Sequence, residues 1–210
     1  MDILIVSGGT PPPESLLKEY AGKSDYIIAA DSGAAPLLKY GIKTDLLLGD
    51  FDSLKEEDRL KISTDEVRIY KRQKDFSDTE AAVREALLLK PENVYMLGAT
   101  GTRMDHFLSN LSQLGFLLKE GVHGEIIDPN NRIYMTDKPI RIKKEEGYIS
   151  FSSFDGTVNN FTIEGFKYHL KDHTLKFGES LSVSNEFSDD TQYAEISFTS
   201  GTVIVIHSRD

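Results

Sequence analysis

The chain changes character once along its length, and that change limits the fold more than any other feature. From Met1 to about Asp128, short apolar runs alternate with segments of helical period. The runs Ile3–Val6, Tyr26–Ala30, Leu46–Leu48, Val67–Tyr70, Val94–Leu97 and Glu125–Ile127 predict strands. Between them, Glu14–Tyr20, Ala34–Tyr40, Asp78–Leu89 and Met104–Lys119 predict helices. Such alternation favours a parallel sheet covered by helices, because parallel neighbours need a crossover connection. After the turn cluster Asp128-Pro129-Asn130-Asn131, the segment Ile133–Asp210 lacks a helical period and carries short alternating runs. Examples are Ile140–Ile142, Tyr148–Phe151, Leu181–Val183 and the pair Ala194–Phe198 and Val203–Ile206, with Ser200-Gly201 predicting a hairpin turn between the last two. The expected architecture is an α/β domain over residues 1–130 followed by a small all-β sandwich domain over 131–210.

Local signals sharpen the helices. Ser77-x-x-Glu80 and Thr102-x-x-Asp105 both match the capping-box pattern ahead of an apolar run, while Gly41, Gly121 and Pro91 are helix stops. On the last helix, Met104, Phe107, Leu108, Leu111, Leu114 and Leu118 form a stripe expected to pack on the sheet. Composition removes several functions. The net charge is -10 and no dense Lys/Arg run exists, which argues against a nucleic-acid partner. The absence of cysteine excludes disulfides, thiolate metal sites and a cysteine nucleophile. No apolar run approaches the roughly 20 residues that span a bilayer, so no membrane partner and a cytoplasmic location are expected.

The addresses of the carboxylates in the first half point to chemistry. Asp31 directly follows the strand Tyr26–Ala30, Asp50 and Asp52 follow Leu46–Leu48 after Gly49, and Asp75 and Asp78 follow Val67–Tyr70. These acids would gather outside the carboxyl ends of parallel strands, where open α/β sheets bind ligands. Clustered like charges are costly without a compensating cation or proton. Oxygen-only donors suit Mg²⁺, which also takes oxygens from substrate phosphates. Each aspartate singly is also an ordinary turn or capping residue.

Two glycine-bearing loops share that edge: Ser7-Gly8-Gly9 after the first strand, and Gly98-Ala99-Thr100-Gly101-Thr102-Arg103 after the fifth. Backbone N–H groups at a helix start suit phosphate oxygens, and Arg103 adds a charged fork. Neither loop is a P-loop or a full dinucleotide fingerprint, and each alone is compatible with a plain strand-to-helix turn. Arg103, His106, Asn110 and Gln113 line one side of the following helix, either as a solvated face or as part of a site. Asp105 is explained equally as a cap or as a site residue.

Taken together, Ala30-Asp31-Ser32-Gly33-Ala34-Ala35, Gly49-Asp50-Phe51-Asp52-Ser53, Lys74-Asp75-Phe76-Ser77-Asp78 and Gly98–His106 resemble, in order and spacing, the motif series of the thiamine pyrophosphokinase family. Leu181-Ser182-Val183-Ser184-Asn185 is similar to the family's thiamine-side motif. The resemblance covers nearly the whole chain. It implies a Rossmann-like α/β domain that binds ATP and Mg²⁺, a β-sandwich domain that binds thiamine, and a homodimer with the active site between subunits. The implied reaction moves the pyrophosphoryl group of ATP to the hydroxyl of thiamine, giving thiamine diphosphate and AMP. By resemblance, Asp50, Asp52 and Asp78 hold Mg²⁺ with Asp31 beside them, these four being the catalytic set. Ser32, Lys74, Asp75, Gly98, Thr100, Gly101, Arg103, Asp105, His106 and Asn110 fall on the substrate side, with Ser182, Ser184 and Asn185 toward the thiamine ring. Many relatives carry Gln where Lys74 stands, and Phe187 is the candidate for stacking on thiamine.

Two other classes compete. A metal-dependent glycosyl- or nucleotidyl-transferase would explain Asp50-x-Asp52 but leave the remaining motifs unexplained. A non-catalytic nucleotide- or thiamine-sensing module would need a missing metal ligand, and all of the implied ligands are present.

Overall fold

A computed structural model of the chain describes residues 1–50, 64–69 and 75–210. It divides into two units, Met1–Pro129 and Asn130–Asp210. In chain order the first unit holds β1 (Asp2–Val6), α1 (Glu14–Lys23), β2 (Tyr26–Ala30), a single 3-10 turn (Asp31–Gly33), α2 (Ala34–Lys39), β3 (Thr44–Gly49) and β4 (Thr64–Ile69). It continues with α3 (Asp78–Leu88), β5 (Asn93–Leu97), α4 (Met104–Lys119) and β6 (His123–Ile127). Every strand expected from the sequence in this half is present, with Tyr70 lying outside the described residues.

These strands pair in parallel in the order β4-β3-β2-β1-β5-β6. The central strand β1 is buried on both faces, with Ile3, Leu4, Ile5 and Val6 fully inaccessible. That is why its sequence is continuously apolar rather than alternating. Leu4 and Val6 join Leu17 of α1 and Leu37 of α2 in one core cluster. On the parallel strands side chains alternate between faces. Helix α3 packs across β1, β2 and β3, and α4 packs on β6. Because β1 leads to β2 on one side while its other neighbour is β5, the strand order reverses between β1 and β5. The loops that leave these two strands therefore diverge and leave a crevice at their carboxyl ends.

The helix starts differ in one respect from expectation. Ser77 is the N-cap of α3, its Oγ accepting from the Glu80 N–H at 3.1 Å. The box at Thr102 does not form. Arg103 occupies the N-cap of α4 without a side-chain cap, and Asp105 instead binds Arg103. The apolar stripe on α4 is also rotated from the expected one. Its buried residues are Asn110, Gln113, Leu114, Gly115 and Leu117, whereas Met104 and Leu108 are exposed. The buried arc thus runs along part of the polar stripe that the sequence placed beside the apolar face.

In the second unit, β7 (Asn131–Thr136), β13 (Val203–Ser208) and β9 (Tyr148–Ser153) pair antiparallel in that order. A separate four-stranded sheet holds β11 (Leu170–Lys176), β10 (Thr157–Glu164), β12 (Tyr193–Ser197) and β8 (Ile140–Lys143). Side chains from both sets meet in one core built around Phe151, Phe161 and Phe166, which makes this unit a sandwich. Phe151 meets Phe161 and Phe166 edge-on, with centroids 5.7 and 5.4 Å apart. The expected hairpin between Ala194–Phe198 and Val203–Ile206 is corrected here. β12 pairs with β10 and β8, while β13 pairs with β7 and β9, so Ser200-Gly201 carries the chain from one sheet to the other. The backbone of Asn159 bridges Ser200 and holds that crossing. Leu181–Val183 is likewise a turn rather than a strand.

Candidate active site

At the β1/β5 reversal lies a cavity of about 530 Å³, lined by residues that follow β1, β2 and β5, by the start of α3 and by the first two turns of α4. Ser7, Gly8, Gly9 and Thr10 come from the first loop; Gly98, Ala99, Thr100, Gly101, Thr102 and Arg103 come from the loop after β5. Asp31 and Ser32 enter from the end of β2, Ser77, Asp78 and Thr79 from α3, and His106, Phe107, Ser109 and Asn110 from α4. Acids therefore stand on the β2 and α3 side, and Arg103 and His106 on the α4 side.

Asp31 adopts φ 48, a conformation that Asp tolerates better than most side chains. Gly49 at the end of β3 (φ +149) makes room for it, since a Cβ there would fall 3.0 Å from the Asp31 Cα. Residues in sparsely populated backbone regions cluster at functional sites, and Asp31 is among the residues that line the cavity. Thr79, next to Asp78, donates its hydroxyl to Ser7 Oγ at 3.0 Å, and both are buried. That pair ties the start of α3 to the end of β1.

The loop after β5 is fastened on two sides. Gly9 N–H donates to Gly98 O at 2.7 Å and Thr10 N–H to Thr100 O at 2.7 Å. The amides of Gly9 and Thr10 are thereby used within the protein, so the expected phosphate-binding role of the first loop does not extend to them. On the other side Asn110 Nδ2 donates to Ala99 O at 2.8 Å.

Arg103 grips Asp105 through both carboxylate oxygens, Nη2 to Oδ2 at 2.6 Å and Nε to Oδ1 at 3.2 Å. The Arg103 hydrogen bonds hold the Asp105 carboxyl down at about 2, helped by the His106 N–H. The same contact raises the Arg103 guanidinium further. Both side chains are 65% exposed, so the pair orients Arg103 more than it stabilises the fold.

Of the acids that the sequence brings to this edge, Asp31 and Asp78 line the cavity; Asp50 follows Gly49 half-buried but is not part of its lining, and Asp75 is exposed. Asp52 and Lys74 lie outside the described residues. Among the described residues, no group of three or more His, Asp or Glu side chains is close enough to hold a metal ion. The polar side chains lining the cavity on the side of Asp31 and Asp78 are those two carboxylates and the hydroxyls of Ser7, Ser32, Ser77 and Thr79, with Thr79 bonded to Ser7 and Ser77 capping α3. Such an all-oxygen set fits Mg²⁺, which completes its shell with phosphate oxygens and water.

In the second unit, Ser182 and Asn185 are each 2% exposed. Ser182 Oγ donates to Phe151 O at 2.7 Å. Asn185 Nδ2 donates to Tyr168 O at 2.7 Å, while its Oδ1 accepts from the N–H groups of Tyr168 and Glu186. These side chains hold the segment in place, leaving Leu181, Val183 and Ser184 exposed, with Ser184 at φ 55. Phe187 belongs to the core, 5.1 Å from the Phe166 ring centroid, and so is not on a ligand-facing surface. Sequence reasoning missed the Thr79–Ser7 contact, since two hydroxyl residues so far apart carry no local signal.

Comparison with known proteins matches both units. Residues 17–123 match the family profile described as thiamin pyrophosphokinase, catalytic domain, and residues 138–203 match the profile described as thiamin pyrophosphokinase, vitamin B1 binding domain. A thiamine pyrophosphokinase of Bacillus subtilis is 34% identical over 216 aligned residues, covering 99% of each chain. The crystal structure of the Bacillus subtilis enzyme superposes with a TM-score of 0.87 at 32% identity, covering 100% of both chains. A thiamin pyrophosphokinase family protein from Enterococcus faecalis gives 0.88 at 30% identity, again over 100% of both chains. On these grounds the chain belongs to the thiamine pyrophosphokinase family.

Proposed function

We propose that this chain transfers the pyrophosphoryl group of ATP to the hydroxyl of thiamine, giving thiamine diphosphate and AMP. The observation that carries this reading is the cavity at the β1/β5 reversal, with Asp31 and Asp78 on one wall and the Gly98–Arg103 loop on the other, in a chain of this family. The loop and Arg103 bind the triphosphate, since backbone N–H groups and a guanidinium fork both suit phosphate oxygens. The thiamine hydroxyl attacks the β-phosphorus. The bond from that phosphorus to the oxygen bridging to the α-phosphorus breaks, and its electron pair leaves with AMP. Asp31 or Asp78 accepts the hydroxyl proton, both being carboxylates of the cavity wall. Phosphoryl-type transfer depends on positioning and charge stabilisation, which suits a site whose loops are fastened to one another.

Mg²⁺ is the metal of this reading, held by Asp50, Asp52 and Asp78. When bound it would supply positive charge against the phosphates, alongside Arg103. The second unit, with its vitamin B1 binding match, binds thiamine near Ser182, Ser184 and Asn185. Ser182 and Asn185 act there by shaping the segment, and the exposed Ser184, Leu181 and Val183 meet the ligand. The chain works as a homodimer with the active site between subunits, in the cytoplasm.

The test is a product assay with purified protein, ATP, Mg²⁺ and thiamine, resolving AMP, ADP and the thiamine phosphates. AMP and thiamine diphosphate should appear in equal amounts and only with thiamine present. ADP with thiamine monophosphate would refute the transfer of two phosphates, and a folded Asp78→Asn variant with wild-type turnover would refute the role of that carboxylate.

A further inference from the structure

Asn110 stands in the second turn of α4, 8% exposed, with its amide Nδ2 on the Ala99 carbonyl at 2.8 Å. The carbonyls on either side are held from the opposite direction, Gly98 O by Gly9 N–H and Thr100 O by Thr10 N–H, each at 2.7 Å. Gly9 comes that close because it has no side chain: a Cβ there would lie 2.2 Å from Thr100 O and 2.5 Å from Gly98 O. In a trans peptide the N–H points opposite to the C=O of the same unit. Fastening the carbonyls of Gly98, Ala99 and Thr100 therefore fixes the directions of the N–H groups of Ala99, Thr100 and Gly101. Two of the three fastenings are backbone contacts, made possible by glycine at positions 9 and 98. The fastening at Ala99 depends on the identity of residue 110.

We propose that Asn110 is a positioning residue for the nucleotide: its amide Nδ2 holds Ala99 O, and it acts by setting the N–H groups of Ala99–Gly101 for the triphosphate. The proposal rests on the reading of the cavity as the ATP site. It changes the role that the sequence assigns to Asn110, from a ligand contact to a clamp on the loop that makes the contacts. Asn110→Asp keeps the shape but sets an acceptor against the acceptor Ala99 O, and Asn110→Leu removes the donor at similar volume.

The experiment measures binding of ATP with a methylene bridge between its α- and β-phosphorus atoms, which blocks transfer of the pyrophosphoryl group, to the full-length wild type and both variants. Amide hydrogen exchange of residues 98–101 is followed in the absence of nucleotide. Nucleotide affinity should fall by roughly tenfold to a hundredfold in both variants, while the KM for thiamine stays within about twofold of wild type. The loop amides should exchange faster even with no nucleotide present. Wild-type affinity in a folded Asn110→Asp protein would overturn the proposal. So would weaker binding with unchanged exchange in the free protein, which is the result expected of a direct contact. If Asn110→Leu does not fold, Asn110→Asp decides alone. A wild type that binds the analogue but makes no thiamine diphosphate would remove the proposed activity and leave the Asn110 comparison valid, whereas a wild type that does not bind the analogue would remove both.

Discussion

Asp78 and Thr79 are neighbours at the start of α3 with different tasks, one carboxylate at the cavity and one hydroxyl turned to Ser7. Removing the Thr79 hydroxyl leaves the buried Ser7 Oγ without that donor. Thr79→Val should therefore lower unfolding stability by about 1–3 kcal/mol, and Thr79→Ser should restore most of it. Urea unfolding of the two variants checks this, and a wild-type-like Thr79→Val beside a destabilised Thr79→Ser would show that packing of the methyl group, not the hydrogen bond, matters at this position. Much of the residue-level site was legible, because strand-end aspartates, a glycine-bearing loop and Arg103 have local signatures. The loop-to-loop hydrogen bonds were not, because Gly9 meets Gly98 and Thr10 meets Thr100 only after β1 and β5 become neighbours.

Helix α4 shows where pattern reading reaches its limit at the scale of an element. Its ends match the sequence reading, Met104 to Lys119, yet the buried arc contains Asn110 and Gln113 while Met104 and Leu108 face out. Hydrophobic period locates a helix and gives an approximate face, but the loop that feeds it fixes its rotation. Here the Asn110–Ala99 contact turns that side of the helix inward. Leu117, fully buried, should cost about 2–5 kcal/mol when changed to Ala. Leu108, 59% exposed, should cost less than about 1 kcal/mol. Equal losses in chemical denaturation would mean that the face is assigned wrongly. The crossing at Ser200-Gly201 is a similar case: a turn signal between alternating runs fits a hairpin and an inter-sheet crossing alike, and pairing with β10 rather than β13 separates them.

At the scale of the whole molecule, the proposed homodimer with its site between subunits would make activity depend on assembly. Sedimentation of the purified chain should give the mass of two copies, and turnover per chain should fall on dilution through the dissociation range. Full activity in a monomer would refute the shared site. What the sequence alone determined is the order of elements in the first half, the change from α/β to β after Asp128, the strand-end addresses of the aspartates and the family those motifs resemble. These follow from local periodicity, turn chemistry and motif spacing, all written within short stretches of chain. Tertiary structure alone decided the strand order that opens the crevice between β1 and β5, the rotation of α4, the sheet to which β13 belongs and the internal use of Ser182, Asn185 and Asn110. Each of these depends on which distant segments pack together, and a polar side chain acquires its role only from the partner that packing brings within hydrogen-bond reach.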